Sequence, residues 1–200
     1  MGTDIHCFAE RRTERGWELC RGTETGPDGE QYALSFYCGE ERNYALFAIL
    51  AGVQRMTNGG FEPVAPPRGL PADSLTLKAE GLTDGGYYHN ATWLTLRELL
   101  EFPWQERRRE FIGWVNAEQY ALFKQNGAPG QFVEESARCV SNAEMDRLLA
   151  SGADTAGVQT LVRFGVPYAA FAGPFVTETL PLLARQGPPD DVRLVMYFDS

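Results

Sequence analysis

Strand-like runs, rich in apolar residues with polar ones set among them, mark both ends of the chain. Residues 3–12 read Thr-Asp-Ile-His-Cys-Phe-Ala-Glu-Arg-Arg, and residues 192–199 read Val-Arg-Leu-Val-Met-Tyr-Phe-Asp. Successive strand side chains point to opposite faces. In the first strand Asp4, His6, Phe8 and Glu10 therefore share one face, with Ile5, Cys7, Ala9 and Arg11 on the other. In the last strand Val192, Leu194, Met196 and Phe198 face one way, and Arg193, Val195, Tyr197 and Asp199 the other. A turn at Glu14-Arg15-Gly16 returns the first strand as a hairpin whose second arm is Trp17-Glu18-Leu19-Cys20.

Between the ends the period changes. Leu46, Phe47, Ile49, Leu50 and Val53 form a broad apolar surface closed by Gly52, which predicts a buried helix opened by Arg42 and Asn43. Residues 57–73 carry Asn58-Gly59-Gly60 and prolines at 63, 66, 67 and 71, which predict an irregular, stiffened loop presenting Arg68. A short helix is expected from Ser74 to just before Gly81. Thr95 with Glu98, Asn116 with Gln119, and Ser141 with Glu144 each have capping spacing ahead of a helix. Gly127 and Gly152 close the second and third of these helices. The charged run from Glu106 to Glu110 reads as a solvated helix face, and residues 22–31 as a surface loop. Residues 158–166 read as a strand, and a helix from about Tyr168 to Arg185 is interrupted at Gly173-Pro174. Strands and helices do not alternate regularly, so the predicted class is α+β. Residues 1–200 are expected to form a single domain with a mainly antiparallel sheet, including the N- and C-terminal strands, covered by helices.

Composition narrows the partners. The net charge is −9, from 27 acidic and 18 basic residues, which opposes the counterion release that drives nucleic-acid binding. No nucleic-acid partner is expected. No apolar run is long enough to span a membrane, and the first residues lack a secretory pattern, so no membrane partner and a cytoplasmic setting are expected. Cys7, Cys20, Cys38 and Cys139 have neither CxxC nor zinc-finger spacing and read as free thiols. A homodimer is the commonest closed assembly for such a chain.

Several groups carry candidate chemistry. Asp4 and His6 lie side by side on one strand face and could bind a divalent metal, relay a proton or bond a ligand. His89 and Asp199 would complete a metal shell. Arg42 and Asn43, at a helix start, suit an anion, and Arg68 could add a two-pronged contact to a phosphate. Alternatively, Arg42 pairs with Glu40 or Glu41, and Arg68 braces its own loop. Tyr87, Tyr88 and Trp93 flank His89 after Gly85-Gly86, in what reads as a loop able to stack a nucleobase, or else to pack at a helix start. Nucleophilic catalysis has little support, because Cys7 faces away from His6 and no Gly-x-Ser-x-Gly occurs. There is no phosphate-cradling glycine loop between a strand and a helix.

Met1-Gly2-Thr3-Asp4-Ile5-His6, the helix from Arg42-Asn43-Tyr44 to Gly52-Val53, Pro67-Arg68-Gly69-Leu70-Pro71, His89 with Trp93, and the terminal strand from Val192 to Asp199 together resemble a family of small bacteriophage and prophage proteins. Residues 22–31 and 104–156 carry none of these marks. The resemblance implies a phage product acting in the host cytosol, where small acidic phage proteins often counter host defence. The expected function is capture of a small anionic, nucleotide-type immune signal by Arg42, Asn43, Arg68, Tyr88, His89 and Trp93. The alternatives are a metal-dependent hydrolase or phosphodiesterase using Asp4, His6 and His89, and a protein inhibitor of a host defence enzyme.

Overall fold

A computed structural model describes residues 4–25, 31–33, 42–53, 60–79, 89–136 and 138–199. The chain divides into two compact units, Met1–Arg107 with Tyr168–Ser200, and Arg108–Pro167. The α+β class and the antiparallel sheet carrying both terminal strands are as the sequence predicts.

In the first unit, β1 (Asp4–Thr13) and β2 (Gly16–Leu19) form the expected hairpin. β9 (Val192–Asp199) pairs antiparallel with β1 on one side and with β5 (His89–Thr95) on the other, giving the order β2-β1-β9-β5. The register sets Glu10 opposite Arg193 and Ala9 opposite Leu194. Ala9, Leu94, Val192, Leu194, Met196 and Phe198 are all buried on one face and belong to the main core. Helix α1 (Tyr44–Ala51) packs into this core and buries Leu46 through Ala51, with Phe47 and Phe198 ring centroids 5.4 Å apart. Each of the Val, Leu, Ile, Met and Phe side chains among these contributes about 1.5–3 kcal/mol on burial.

Local chemistry fixes where these helices start and stop. The Asn43 side chain accepts from the Leu46 N–H at 3.0 Å, and Gly52 ends α1 at φ 67° while its N–H donates to Ala48. α2 (Leu75–Ala79) follows Ser74, whose hydroxyl accepts from Leu77 N–H. α3 (Leu96–Glu101) has the complete Thr95–Glu98 capping box. The last helical stretch is α6 (Tyr168–Ala172), a π-helical turn (Phe175–Thr179) and α7 (Leu180–Ala184), broken at Gly173-Pro174 as expected.

Some assignments differ from the sequence reading. Residues read as a surface loop include two paired strands, β3 (Arg21–Thr25) and β4 (Gln31–Ala33). His89 and Trp93 lie on a strand rather than in a loop. The arginine run does not sit on a helix, because Arg108 and Arg109 open β6 (Arg108–Asn116).

The second unit is a three-stranded sheet, β6-β8-β7, in which β8 (Val158–Pro167) pairs antiparallel with β6 and parallel with β7 (Arg138–Val140). α4 (Ala117–Asn126) and α5 (Asn142–Ser151) bear the expected Asn116 and Ser141 caps and C-terminal glycines. Val115, Tyr120, Met145, Val158 and Val162 form its core. Gly113 lies under the Phe132 ring, which a Cβ there would overlap. Gly113→Ala should lower stability in a denaturant titration by about 1–3 kcal/mol through overpacking, and the loss should shrink in a Phe132→Ala background. Equal losses in both backgrounds would contradict this packing.

Candidate functional site

The sheet face turned away from the main core collects charge and aromatic rings. Register places Glu10 and Arg12 of β1, Trp17 of β2, Arg193 and Val195 of β9, and Trp93 and Thr95 of β5 on that side. Glu10 and Arg193 are 0% and 1% exposed. Arg193 Nε donates to Glu10 Oε2 at 2.8 Å and Nη1 to Asp73 Oδ1 at 2.8 Å. Ser74, just before α2, donates its hydroxyl to Glu10 Oε1. Glu10 thus accepts from Ser74 on one oxygen and from Arg193 on the other. Arg193 Nη2 sits 2.7 Å from Glu10 Oε2. Nε and Nη2 therefore share that one carboxylate oxygen, and Nη2, although ion-paired, is buried without a well-directed hydrogen bond among the described residues.

The Arg193 guanidinium lies 4.1 Å from the Trp17 ring centroid and 5.5 Å from that of Trp93. Arg12 lies 4.9 Å from Trp17, and Arg68 lies 4.7 Å from Trp93. Cations and indole rings thus run in series as Arg12, Trp17, Arg193, Trp93, Arg68, each contact favourable through the negative ring face. These five side chains line a cleft of about 440 Å³, together with Pro71 and Asp73 from the proline-rich loop. That loop is tied to β5 by Arg68 N–H donating to Thr92 Oγ1 at 3.1 Å and Gly69 N–H to Ala91 O at 2.9 Å.

Acidic groups temper the cleft. Arg68 pairs with Glu98, whose other oxygen caps α3 through Thr95, and Arg12 lies 3.8 Å from Asp191. Asp190, also in the lining, is held by Arg97 through bonds of 2.6 Å to each of its oxygens. Burial alone would raise the Asp73 pKa, but the hydrogen bond and charge of Arg193 outweigh it and lower the value. Glu98 behaves likewise, with burial opposed by Arg68 and by bonds from Thr95, and is lowered. Asp190 is lowered chiefly by its Arg97 bond. Burial pushes the Cys20 thiol up to about 11, where it is a poor nucleophile.

The expected site residues separate. Arg68 and Trp93 meet in the cleft, whereas Arg42 and Asn43 are not in its lining. Asn43 caps α1 and donates its Nδ2 to Phe171 O at 2.8 Å, so both ends of its side chain are engaged. Tyr88 lies outside the described residues, as do the side chains of Asp4 and Asp199. His6 stands opposite Tyr197 and stacks on it at 4.9 Å, while His89 stands opposite Phe198. Tyr197 and Phe198 face opposite ways, so the two histidines lie on opposite faces of the sheet. Among the described residues no group of three or more His, Cys, Asp or Glu is placed to hold a metal. No helix of the described residues is long and apolar enough to cross a membrane.

Glu10, Arg12, Trp17, Asp73 and Arg193 were not singled out from sequence as site residues. For the strand residues two signals exist, charges inside strands with apolar neighbours and a hairpin turn that sets Arg12 opposite Trp17, whereas nothing local marks Asp73. Fold and site define an α+β protein with an arginine–tryptophan cleft on one sheet face. Known family models, curated proteins and solved structures include no match to this chain.

Arg193→Ala should cost about 3–5 kcal/mol, because it strands a buried carboxylate. Replacing Glu10 and Arg193 together with methionine should recover much of that loss in a thermal melt. If the single variant is as stable as the parent, the ion pair is not structural. Asp73 and Glu98 ionise more readily in the folded than the unfolded chain. Their contribution is present above the ordinary carboxyl pKa of about 4 and is lost as pH falls through the lowered folded values. Glu98→Gln should therefore flatten the acid limb of the stability profile, and an unchanged limb would remove Glu98 from the account.

Proposed function

We propose that the chain is a binding protein that holds a small anionic ligand of the nucleotide type in the Arg12–Trp17–Arg193–Trp93–Arg68 cleft. The observation that carries this reading is the buried Arg193 guanidinium. It is fixed between two indole rings by Glu10 and Asp73, in the lining of a cleft that Arg12 and Arg68 flank. A phosphate entering the cleft meets a preset positive charge at little ordering cost, because the guanidinium is already held. Arg12 and Arg68 add charge, and the half-buried Trp93 indole offers stacking for a planar base. The cleft volume of about 440 Å³ falls within the small-molecule range of about 300–1,000 Å³.

Binding without turnover is the better reading, since the cleft's described lining contains neither histidine nor cysteine. Its carboxylates Asp73 and Asp190 are held ionised by arginines, which suits neither to deliver a proton. The resemblance to phage proteins adds a setting: sequestration of a nucleotide-type immune signal in the cytosol of an infected bacterium.

The test is incubation with a panel of linear and cyclic nucleotides, denaturation of the complex and chromatography of what is released. An intact nucleotide is expected, and a converted product would make the protein an enzyme instead. Arg68→Ala should weaken binding about tenfold or more, the loss of one charge-assisted contact. Its melting temperature should stay close to the parent's, because a surface ion pair contributes only about 0–1 kcal/mol. Unchanged affinity would remove Arg68 from the site.

A further inference from the structure

The cleft contains an acceptor as well as donors. Asp73 uses Oδ1 for Arg193, while its side chain remains 63% exposed in the cleft wall. The carboxylate repels an anion that brings nothing else. A ligand that fits must therefore carry negative charge at one end and N–H donors at the other, with a flat surface between them for an indole ring.

Resting on the nucleotide reading above, we propose that the ligand is a guanine nucleotide, with its base stacked on the half-buried Trp93, its N1–H and N2–H edge donating to Asp73, and its phosphate held by the arginines. Guanine offers adjacent donors on that edge, the pattern a carboxylate accepts. Adenine and cytosine place an unprotonated ring nitrogen beside a single amino group, and uracil sets its N–H between two carbonyls. Each of these turns a lone pair toward Asp73, where it meets another lone pair. A site built to accept N–H donors rejects analogues that lack them more strongly than a purely apolar pocket rejects a shape change. Asp73 sits at the end of the proline-stiffened loop, one residue before Ser74, which bonds Glu10. The acceptor is thus fixed by the same network that fixes the Arg193 donor.

The experiment is isothermal titration of the intact protein with GMP, IMP, AMP and inorganic phosphate. GMP should bind about tenfold or more tighter than AMP, with IMP between them because it keeps N1–H and lacks the N2 amino group. Asp73→Asn can still accept from Arg193 but offers no ionised acceptor. It should bring GMP and AMP to within about threefold, with phosphate affinity equal or higher. Equal affinity of GMP and AMP for the parent protein, with phosphate still binding, would overturn the guanine assignment and leave the anion cleft standing. A GMP preference that survives in Asp73→Asn would overturn the role of Asp73. Binding of neither phosphate nor any nucleotide would overturn the anion reading and this proposal with it.

Discussion

A carboxylate and a guanidinium buried at the centre of a sheet govern the rest of this molecule. Glu10 and Arg193 stand opposite each other on β1 and β9, joined by a 2.8 Å bond although 183 residues apart in sequence. Removing two charges from water is costly, and their attraction offsets that cost only when geometry and further hydrogen bonds are good. Ser74 and Asp73 supply those bonds, and the indole rings of Trp17 and Trp93 shield the cation. The pair also constrains register. A slip of one residue would turn Arg193 into the main core and Leu194, Met196 and Phe198 out of it.

The sheet therefore has two faces with different tasks. One is closed by α1 and its neighbours into the main core. The other gathers arginines, tryptophans and carboxylates, and it is held by the proline-rich loop through Thr92, Ala91 and Ser74. Proline at 71 and the Ser74 cap make that loop a rigid support for Arg68 and Asp73, which lowers the ordering cost of any ligand they meet. Glu98 belongs to both systems, since one oxygen caps α3 and the other holds Arg68. A ligand anion can take Arg68 from it while the helix cap stays intact.

Much of this frame was legible in the sequence, because its signals are local. Alternation in residues 4–12 and 192–199, the turn before Gly16, the caps at Asn43, Thr95, Asn116 and Ser141, and the break at Gly173-Pro174 all act within a few residues. The strand His89–Thr95 was not legible: its register shifts between His89 and Thr92, and Asn90 takes φ 50°, which interrupts the alternation. The strand opening at Arg108 was hidden by its charged start. Arg68 and Trp93 were legible as candidates from loop stiffness and aromatic character. Their junction with Arg12, Trp17 and Arg193 depends on the register between the two ends of the chain, which no local pattern specifies.

Side-chain NMR of the Arg193 guanidinium, with and without inorganic phosphate, reports on the buried pair and the cleft together. A guanidinium pinned by Glu10 and Asp73 in the wall of an anion cleft predicts slowly exchanging Arg193 N–H signals in the free protein, with its Nη signals shifting on phosphate addition and Nε held steady by Glu10. Signals that exchange rapidly with water and ignore phosphate would contradict both the buried pair as organiser and the cleft as an anion site.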